Sequence, residues 1–429
     1  MDAYKIMGGR KAFGEVTISG NKNSALPLIA ATLLTDESVI LKNVPNIKDV
    51  NIMLDLVKEL GSTVEKKSSN SIKITSGKRK NILIDEKVEF VRGSILFMGP
   101  LMGFFKEVII APPGGDVIGF RRIDTHFMGF ITLGASCIIT GDGNLKVYHD
   151  KLIANEVFLE EASVTATENI IMVAALIQGC TTIINAACEP HVQDLCNMLI
   201  RMGCNIEGVG SNLLKIYGVK RLKGCEFTIS SDYMEAGSFI GLAAATKGEV
   251  LIHNIDYRKI KMIVSTFEKI GIKIIAQDDN SILVPGKQNR VIKKSFNQMT
   301  SKIDDAPWPG FPADLLSIVT VTATQMNGSI LMHEKMFESR MYFVDWLIRM
   351  GADIILCDPH RAVVNGPSVL NGARVSSPDL RAGMALVIAA ACCNGECIIE
   401  NIYQIERGYE NLEGKLKGLN IDISRVENL

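Results

Sequence analysis

The segment GCTTIINAACEPHVQDLCNMLIRMGCNIEG (residues 179–208) is echoed by GSILMHEKMFESRMYFVDWLIRMGADII (residues 328–355). Each copy predicts a short strand rich in β-branched residues, a polar loop, an amphipathic helix that ends near a glycine, and a second strand. About 24 residues separate the opening residue from that glycine, a period typical of one supersecondary unit. The chain is therefore predicted to be built from repeats.

Four further copies follow the same pattern. They are ESVILKNVPNIKDVNIMLDLVKELGSTVE (37–65), EVIIAPPGGDVIGFRRIDTHFMGFITLGASCII (107–139, with a longer loop), GEVLIHNIDYRKIKMIVSTFEKIGIKII (248–275) and GECIIENIYQIERGYENLEGKLKGLNIDI (395–423). An apolar, alanine-rich helix is predicted before each copy. These helices are predicted over residues 23–34, 91–103, 167–179, 235–248, 313–328 and 379–395.

A helix that is apolar on every side must be covered all round. We therefore expect the helices to fill the middle and the sheets to lie outside, in an α/β fold of six βαβαβ-type repeats, three in each of two lobes. The joint between lobes is predicted near residues 230–238. The alternative is an open solenoid, which also repeats at such a period but requires polar caps at its two ends that this sequence lacks.

Composition excludes several classes of function. The 429 residues include 46 basic and 47 acidic side chains, so the net charge of −1 gives no basic excess for binding nucleic acid. The start of the chain lacks the apolar segment of a signal peptide, and the apolar stretch at 382–394 is too short to cross a bilayer. Ten cysteines without a C-x-x-C pair predict free, buried thiols in a reducing compartment, hence the cytoplasm. The six scattered histidines predict no metal site.

Cations stand at the predicted starts of three apolar helices: Lys22, Arg92 and Arg381. The positive end of a helix dipole disfavours a cation, so this placement predicts an anion bound among them. Ser, Asp and Asn at other helix starts have a simpler interpretation as N-caps. Arg340 and Arg407 occupy equivalent loops before amphipathic helices. The alternative for these two is a surface ion pair with Glu338 or Glu406.

Six motifs together resemble the enolpyruvyl transferase family: GEVTISGNKNSALPL, APPGGDVIGFRRID, ASVTATENI, FPADL, SSPDLRAG and IERGYENLEGKL. The resemblance covers nearly the whole chain in order. It implies two inside-out α/β barrels with threefold pseudo-symmetry. One lobe would run over residues 22–231, and the other over 1–21 and 232–429. No metal or organic cofactor is implied.

The resemblance implies transfer of the enolpyruvyl group of phosphoenolpyruvate to the 3′-hydroxyl of UDP-N-acetylglucosamine, with release of phosphate, as the first committed step of peptidoglycan synthesis. By motif, the phosphoenolpyruvate site is implied to contain Lys22, Asn23, Arg121, Arg340 and Arg407. Asp314 matches the base near the acceptor hydroxyl, and Asp379 and Arg381 match supporting residues at the reacting centre.

The nucleotide-sugar site is implied by a second group of residues. These are Arg92, Arg121, Arg122, Ile123, Asp124, Thr125, Ser163, Val164, Thr165, Asp314 and Met336. Three positions depart from the common family pattern. Glu161 stands in place of a basic residue or proline, Thr165 in place of glycine, and Tyr233 in place of arginine.

Residues 111–126 resemble the family's mobile loop, which closes over the substrates and excludes water. Asp116 stands where many relatives have cysteine and is implied to donate the proton; the alternative is an ordinary turn residue after Gly114 and Gly115. The antibiotic fosfomycin alkylates the loop cysteine of the family, so Asp116 predicts resistance.

Other functions remain open at this stage. The same fold could act on shikimate 3-phosphate or on another nucleotide. A non-catalytic paralogue that binds nucleotide sugar is a third possibility, and a repeat scaffold for proteins is a fourth. The retained Lys22, Asp116, Asp314, Asp379 and Arg407 argue against the paralogue. A scaffold would have no use for lysine and arginine at the starts of internal helices.

Overall fold

The computed structural model describes residues 2–115, 122–337 and 339–427. These residues form two compact units. The first unit contains residues 20–115 and 122–230, and the second contains residues 2–19 and 231–427. Each unit has three four-stranded sheets and its own hydrophobic core. The prediction of an α/β fold with six repeats, three to each half, is confirmed.

The sheets of the first unit share one strand order, in which a parallel pair is followed by two antiparallel neighbours. Across each sheet the strands are Glu226–Thr228, Val39–Lys42, Ser71–Ser76 and Ser62–Ser68; Ile82–Leu83, Glu107–Ile110, Leu145–Tyr148 and Ser136–Ile139; and Glu156–Phe158, Gly179–Ile184, Leu213–Gly218 and Asn205–Glu207.

The sheets of the second unit repeat this order. Their strands are Phe13–Thr17, Glu249–His253, Ser281–Val284 and Ile275–Asp278; Ser301–Asp304, Gly328–His333, Arg361–Gly366 and Asp353–Asp358; and Arg374–Ser376, Glu396–Glu400, Ala3–Met7 and Asp422–Val426. The N-terminal strand Ala3–Met7 thus completes the sheet that also holds the last strand of the chain.

The helices form the two predicted classes. The apolar segments are Lys22–Ala31 with the 3₁₀ turn Thr32–Leu34, the 3₁₀ helix Arg92–Phe97 with Met98–Met102, Val164–Ala174, Tyr233–Ala245, the 3₁₀ turn Ala313–Leu315 with Leu316–Ala323, and Leu380–Cys392. The amphipathic helices are Lys48–Glu59, Asp124–Thr132, Pro190–Arg201, Lys261–Lys269 after the 3₁₀ turn Tyr257–Ile260, Val344–Arg349, and Leu412–Gly418 after Tyr403–Glu406. A further 3₁₀ helix spans Glu86–Phe90.

The apolar helices lie inside each unit, as predicted. All thirteen residues of Tyr233–Ala245 and all eight of Leu316–Ala323 are buried. In the second unit these two helices and Leu380–Cys392 each contact the other two. This closed arrangement excludes the open solenoid. Close packing requires glycine at Gly241, where an added Cβ would lie 2.6 Å from the side chain of Ile318.

An asparagine side-chain hydrogen bond joins the parallel strands in four of the six repeats. An asparagine follows the second strand with φ between 55° and 61°, a left-handed conformation that asparagine tolerates. Its side-chain amide donates to the carbonyl oxygen of the residue that follows the neighbouring parallel strand. These pairs are Asn43 with Ile229, Asn185 with Leu159, Asn254 with Ile18 and Asn401 with Ser377. The second repeat has Ala111 at this place, and the fifth has Glu334.

The cysteines correct one prediction in part. All ten are free thiols, as expected, but only five of them are buried, and Cys180 and Cys357 are exposed. In the same described residues, no helix combines the length and the apolarity that are needed to cross a membrane.

Candidate active site

Two predicted site residues, Asp116 and Arg121, lie outside the described residues, as does Glu338. The other predicted residues fall into two groups. Lys22, Asn23, Arg92, residues 122–125 and residues 163–165 belong to the first unit, and the remaining ones belong to the second.

Asp314 lies between two arginines in the second unit. Its Oδ1 is 2.7 Å from Nη2 of Arg340, and its Oδ2 is 3.1 Å from Nε of Arg381. The PGFPAD segment ends in the 3₁₀ turn Ala313–Leu315, which presents Asp314 just before a buried helix. Burial acts to raise the pKa of Asp314, but the two guanidinium groups outweigh it and hold that pKa well below its ordinary range. Asp314 is therefore ionised.

Arg381 follows the N-cap of its helix by two residues. Asp379 caps this helix, and its Oδ1 accepts from the backbone N–H groups of Arg381 and Ala382 at 2.8 and 2.9 Å. The Arg381 guanidinium also lies 5.3 Å from the centre of the Tyr409 ring. The start of this helix therefore has both an N-cap, Asp379, and a cation, Arg381.

Buried donors on these arginines point to a ligand. Nη1 of Arg381 and Nε of Arg340 are buried and have no hydrogen-bonding partner among the described residues. A buried guanidinium N–H without an acceptor is costly, and phosphate or carboxylate oxygens are its natural partners. The cluster of Asp314, Arg340 and Arg381 is thus suited to receive an anion.

The side chains of Arg340 and Arg407 are largely buried, so neither residue lies at the surface. Arg407 is only 4% exposed and follows the short helix Tyr403–Glu406, where it donates to Oε1 of Gln404 at 3.1 Å. Glu406 pairs with Arg425. Met336 lies in the turn before Arg340, and its side chain is 42% exposed.

Lys22 has a partner that sequence reasoning missed. Its Nζ lies 2.6 Å from Oδ2 of Asp49, and both side chains are almost fully buried. The first helix is capped by Asn21, whose side chain accepts from the backbone N–H groups of Asn23 and Ser24. Asp49 thus supplies a negative charge beside Lys22 from within the chain, and the anion predicted among Lys22, Arg92 and Arg381 stays a prediction.

A signal for Asp49 was present in the sequence. It precedes Met53 by four residues and Leu56 by seven, which is the spacing of one helix face, and both of those residues are buried. Asp194 of Pro190–Arg201 likewise precedes the buried Met198 by four residues. Its Oδ2 accepts from Oγ of Ser24 at 2.8 Å and from the backbone N–H of Ser230 at 3.0 Å. An acidic residue on a buried face indicates a buried polar partner.

The remaining residues of the first unit are brought together by three hydrogen bonds. Arg92 donates to the backbone oxygen of Arg122 at 3.2 Å. Thr125 donates to Glu161 at 3.2 Å. Thr165 lies 3.0 Å from Nε2 of His126. Ile123 is the N-cap of the helix Asp124–Thr132, which begins at Asp124, and Ser163 is the N-cap of Val164–Ala174 without a side-chain capping bond.

The positions that depart from the family pattern therefore have partners in this chain. Glu161 and Thr165 are each engaged by the 122–126 segment through Thr125 and His126. Burial, and then the charge of Arg92, lower the pKa of His126 to about 3, so its imidazole is neutral. Tyr233 is 2% exposed and its ring centre lies 5.6 Å from that of Trp308, which places it in the core of the second unit.

No group of three or more potential metal ligands occurs in the part of the chain that the structure describes.

Comparison with known proteins gives consistent matches. The family model described as EPSP synthase (3-phosphoshikimate 1-carboxyvinyltransferase) matches residues 6–416. The chain is 52% identical over 428 residues to the UDP-N-acetylglucosamine 1-carboxyvinyltransferase of Treponema denticola and 51% identical over 429 residues to that of Borreliella burgdorferi. Each of these matches covers 100% of both chains.

Solved structures share the fold at low sequence identity. The enolpyruvyl transferase NikO from Streptomyces tendae superposes with a TM-score of 0.87 at 19% identity over 99% of each chain. An EPSP synthase from Acinetobacter baumannii gives a TM-score of 0.74 at 15% identity over 100% of each chain. With the full-length relatives above, these matches show that the chain belongs to the enolpyruvyl transferase family, among the UDP-N-acetylglucosamine 1-carboxyvinyltransferases.

Proposed function

We propose that this transferase moves the enolpyruvyl group of phosphoenolpyruvate to the 3′-hydroxyl of UDP-N-acetylglucosamine and releases phosphate. The observation that carries the proposal is the name shared by relatives that are about half identical over the full length. The reaction would be the first committed step of peptidoglycan synthesis, and we propose that the enzyme acts in the cytoplasm and serves bacterial cell-wall growth and division.

The chemistry is addition followed by elimination. Carbon 3 of phosphoenolpyruvate gains a proton, which makes carbon 2 electrophilic, and the sugar hydroxyl attacks there while a base removes its proton. The tetrahedral intermediate then loses phosphate from carbon 2 and a proton from carbon 3. The reaction requires two acid–base groups and a strong anion clamp.

We assign the proton donor to Asp116 and the anion clamp to Lys22, Asn23, Arg121, Arg340 and Arg407. Guanidinium groups suit this role because they bind carboxylate and phosphate in bidentate fashion. The unpartnered N–H groups of Arg340 and Arg381 support an anion at this end of the second unit. Asp379 holds the Arg381 helix start in place.

Asp314 is proposed as the base that receives the hydroxyl proton. Its lowered pKa makes it a weak base while both arginines hold it. A substrate anion that draws Arg340 and Arg381 away would raise the pKa of Asp314 at the moment when a base is needed. The free-enzyme geometry thus supports a base that substrate binding activates.

We assign binding of the nucleotide sugar to Arg92, residues 121–125, residues 163–165, Asp314 and Met336. The three hydrogen bonds that tie residues 92, 122–126 and 161–165 together support one continuous surface.

Phosphate release tests the assignment of the acceptor. The purified protein should release phosphate from phosphoenolpyruvate only when UDP-N-acetylglucosamine is present. Shikimate 3-phosphate and other UDP-sugars serve as comparison acceptors, since the family model and one structural relative concern EPSP synthase. Release with one of these, and none with UDP-N-acetylglucosamine, would reassign the substrate.

Fosfomycin resistance is the first prediction. The epoxide requires a soft thiolate nucleophile, and residue 116 is aspartate. We expect the wild-type enzyme to keep its activity after prolonged exposure to the drug, and Asp116→Cys to lose activity progressively. Residual phosphate release after timed incubation measures both. Time-dependent inactivation of the wild type at low micromolar drug would refute the prediction.

Asp49 gives a second prediction. Asp49→Asn removes the charge that holds Lys22, so the ammonium group loses its fixed position. We expect kcat/KM for phosphoenolpyruvate to fall about tenfold, as is typical for loss of a charged hydrogen bond. Asp55→Asn, on the same helix but at the surface, is the matched control. Equal kinetics for the two variants would show that Asp49 does not position Lys22.

A further inference from the structure

The fifth repeat lacks the asparagine hydrogen bond that joins the parallel strands in four other repeats. Glu334 follows the strand Gly328–His333, at the position where four other repeats have an asparagine with positive φ. Asp305 follows the neighbouring parallel strand Ser301–Asp304, at the position whose backbone carbonyl accepts from that asparagine in the four repeats. The backbone register at this place is retained, because the N–H of Asp305 still donates to His333. Two carboxyl side chains therefore replace one amide. Because the other strand connections are regular, this substitution indicates that the two carboxyl groups have a different function.

Both carboxyl groups bind the turn that follows. Asp305 accepts from the backbone N–H groups of Lys335 at 2.5 Å and Met336 at 3.2 Å. Oε1 of Glu334 accepts from those of Met336 at 3.2 Å and Phe337 at 3.1 Å. The single N–H of Met336 thus faces an oxygen of each carboxyl group, which brings the two groups close together. Asp305 is 0% exposed and Glu334 is 1% exposed.

Two carboxylates so close and so deeply buried cannot both remain ionised. Burial, and then the hydrogen bond and charge of Asp305, raise the pKa of Glu334 to about 9, while Arg340 opposes this rise. Oε2 of Glu334 is buried, and no donor among the described residues is directed at it. One proton held between the two carboxyl groups would satisfy this geometry.

The other charged groups around the pair are few. Asp304 precedes Asp305 and pairs with Lys302 and Lys335. His360, from the hairpin packed against the turn, places its Nδ1 3.1 Å from the backbone oxygen of Glu334. Arg340 follows the turn and extends to Asp314. The carboxyl pair is therefore linked through a short stretch of chain to the anion-binding cluster.

We propose that Asp305 and Glu334 are positioning residues that share one proton and hold residues 334–337 so that Met336 and Arg340 meet the substrates. The proposal rests on the proposed function, because Met336 and Arg340 matter only if this end of the second unit binds phosphoenolpyruvate and the nucleotide sugar. The pair makes no contact with the reacting atoms. Its action is to fix this turn through the backbone N–H groups of residues 335–337.

Steady-state kinetics between pH 6.5 and pH 10 tests the positioning role. We expect the KM of the wild type for UDP-N-acetylglucosamine to rise about tenfold at alkaline pH relative to that of Glu334→Gln, which mimics the protonated side chain. Asp305→Ala should raise this KM about tenfold at every pH, with a change in kcat below threefold. His360→Gln shows whether titration of the His360 imidazole contributes to the pH dependence of KM. If the ratio of the wild-type KM to the Glu334→Gln KM stays constant between pH 6.5 and pH 10, the proposal is overturned.

Unfolding without substrate tests the shared proton independently of function. The pKa of Glu334 is raised from its ordinary 4.5 to about 9 on folding, so the folded state binds the proton more tightly. The stability that this proton contributes is complete below about pH 4.5 and is lost progressively up to about pH 9. The Tm of the wild type should therefore fall relative to that of Glu334→Gln over this interval. Glu268→Gln, in a helix of the same unit, is the control and should follow the wild type.

The two experiments separate the possible failures. If the wild type releases no phosphate with UDP-N-acetylglucosamine, the proposed function fails while the unfolding result still stands. Parallel Tm curves for the wild type and Glu334→Gln would overturn the shared proton. Divergent Tm curves with identical KM profiles would overturn the positioning role.

Discussion

Replacing Asp116 by asparagine should reduce kcat by at least about a thousandfold. The amide cannot donate a proton to carbon 3 of phosphoenolpyruvate, and loss of a general acid typically costs a factor of 10² to 10⁴. Binding of UDP-N-acetylglucosamine should change less than threefold, because the assigned nucleotide-sugar residues are untouched. Phosphate release measures the first effect, and calorimetric titration with the nucleotide sugar measures the second.

Two further variants make this experiment decisive. Asp116→Cys keeps a proton donor and should retain turnover, with its alkaline limb at higher pH because a thiol has a higher pKa than a carboxyl group. Asp142→Asn alters an exposed aspartate of the first unit and should behave as the wild type. Preserved turnover in Asp116→Asn would remove this residue from the mechanism and leave the ordinary turn interpretation.

The repeat architecture could be predicted because it depends on local patterns. Each apolar helix shows its burial in its own residues, and each amphipathic helix shows one face. The glycine after the amphipathic helix has φ between 85° and 105° in five repeats, as at Gly61 and Gly351. In the sixth repeat Asn420 takes this place with φ 64°. Asparagine is the residue other than glycine that most readily adopts this conformation, so the repeat persists without the expected glycine.

The partners of the charged residues could not be predicted in the same way. Asp314 is bound by arginines 26 and 67 residues further along the chain, and no period in the sequence relates these three positions. The resemblance to the family supplied the residues but not their contacts. Lys22 and Asp49 illustrate the same limit, since the helix dipole suggested an anion and the chain itself provides a carboxylate.

The breaks in the repeat are more informative than the repeat itself. The asparagine that joins the parallel strands is replaced only in the second and fifth repeats, at Ala111 and Glu334. The second of these breaks precedes Met336 and Arg340, and the first opens the segment 111–126. Selection for a regular fold would keep the asparagine at both places, so the two replacements indicate where other requirements act on the chain.

Asp314→Asn should give the other large effect. The asparagine cannot accept the proton of the sugar hydroxyl, so we expect kcat to fall about a thousandfold. It also leaves Arg340 and Arg381 without their carboxylate, and we expect the free energy of unfolding to fall by about 2 kcal/mol. Phosphate release and urea unfolding measure these effects. Asp345→Asn, at an exposed position of the same unit, is the control.

The two effects of Asp314→Asn can be separated by the response to ligand. If Asp314 acts as the base, the variant still binds phosphoenolpyruvate, and more tightly than the wild type, because the released guanidinium groups no longer share their charge with a carboxylate. If Asp314 only holds the arginines in place, binding and turnover fall together. A variant that keeps more than a tenth of the wild-type kcat would exclude Asp314 as the base, and the hydroxyl proton would then have to leave by another group.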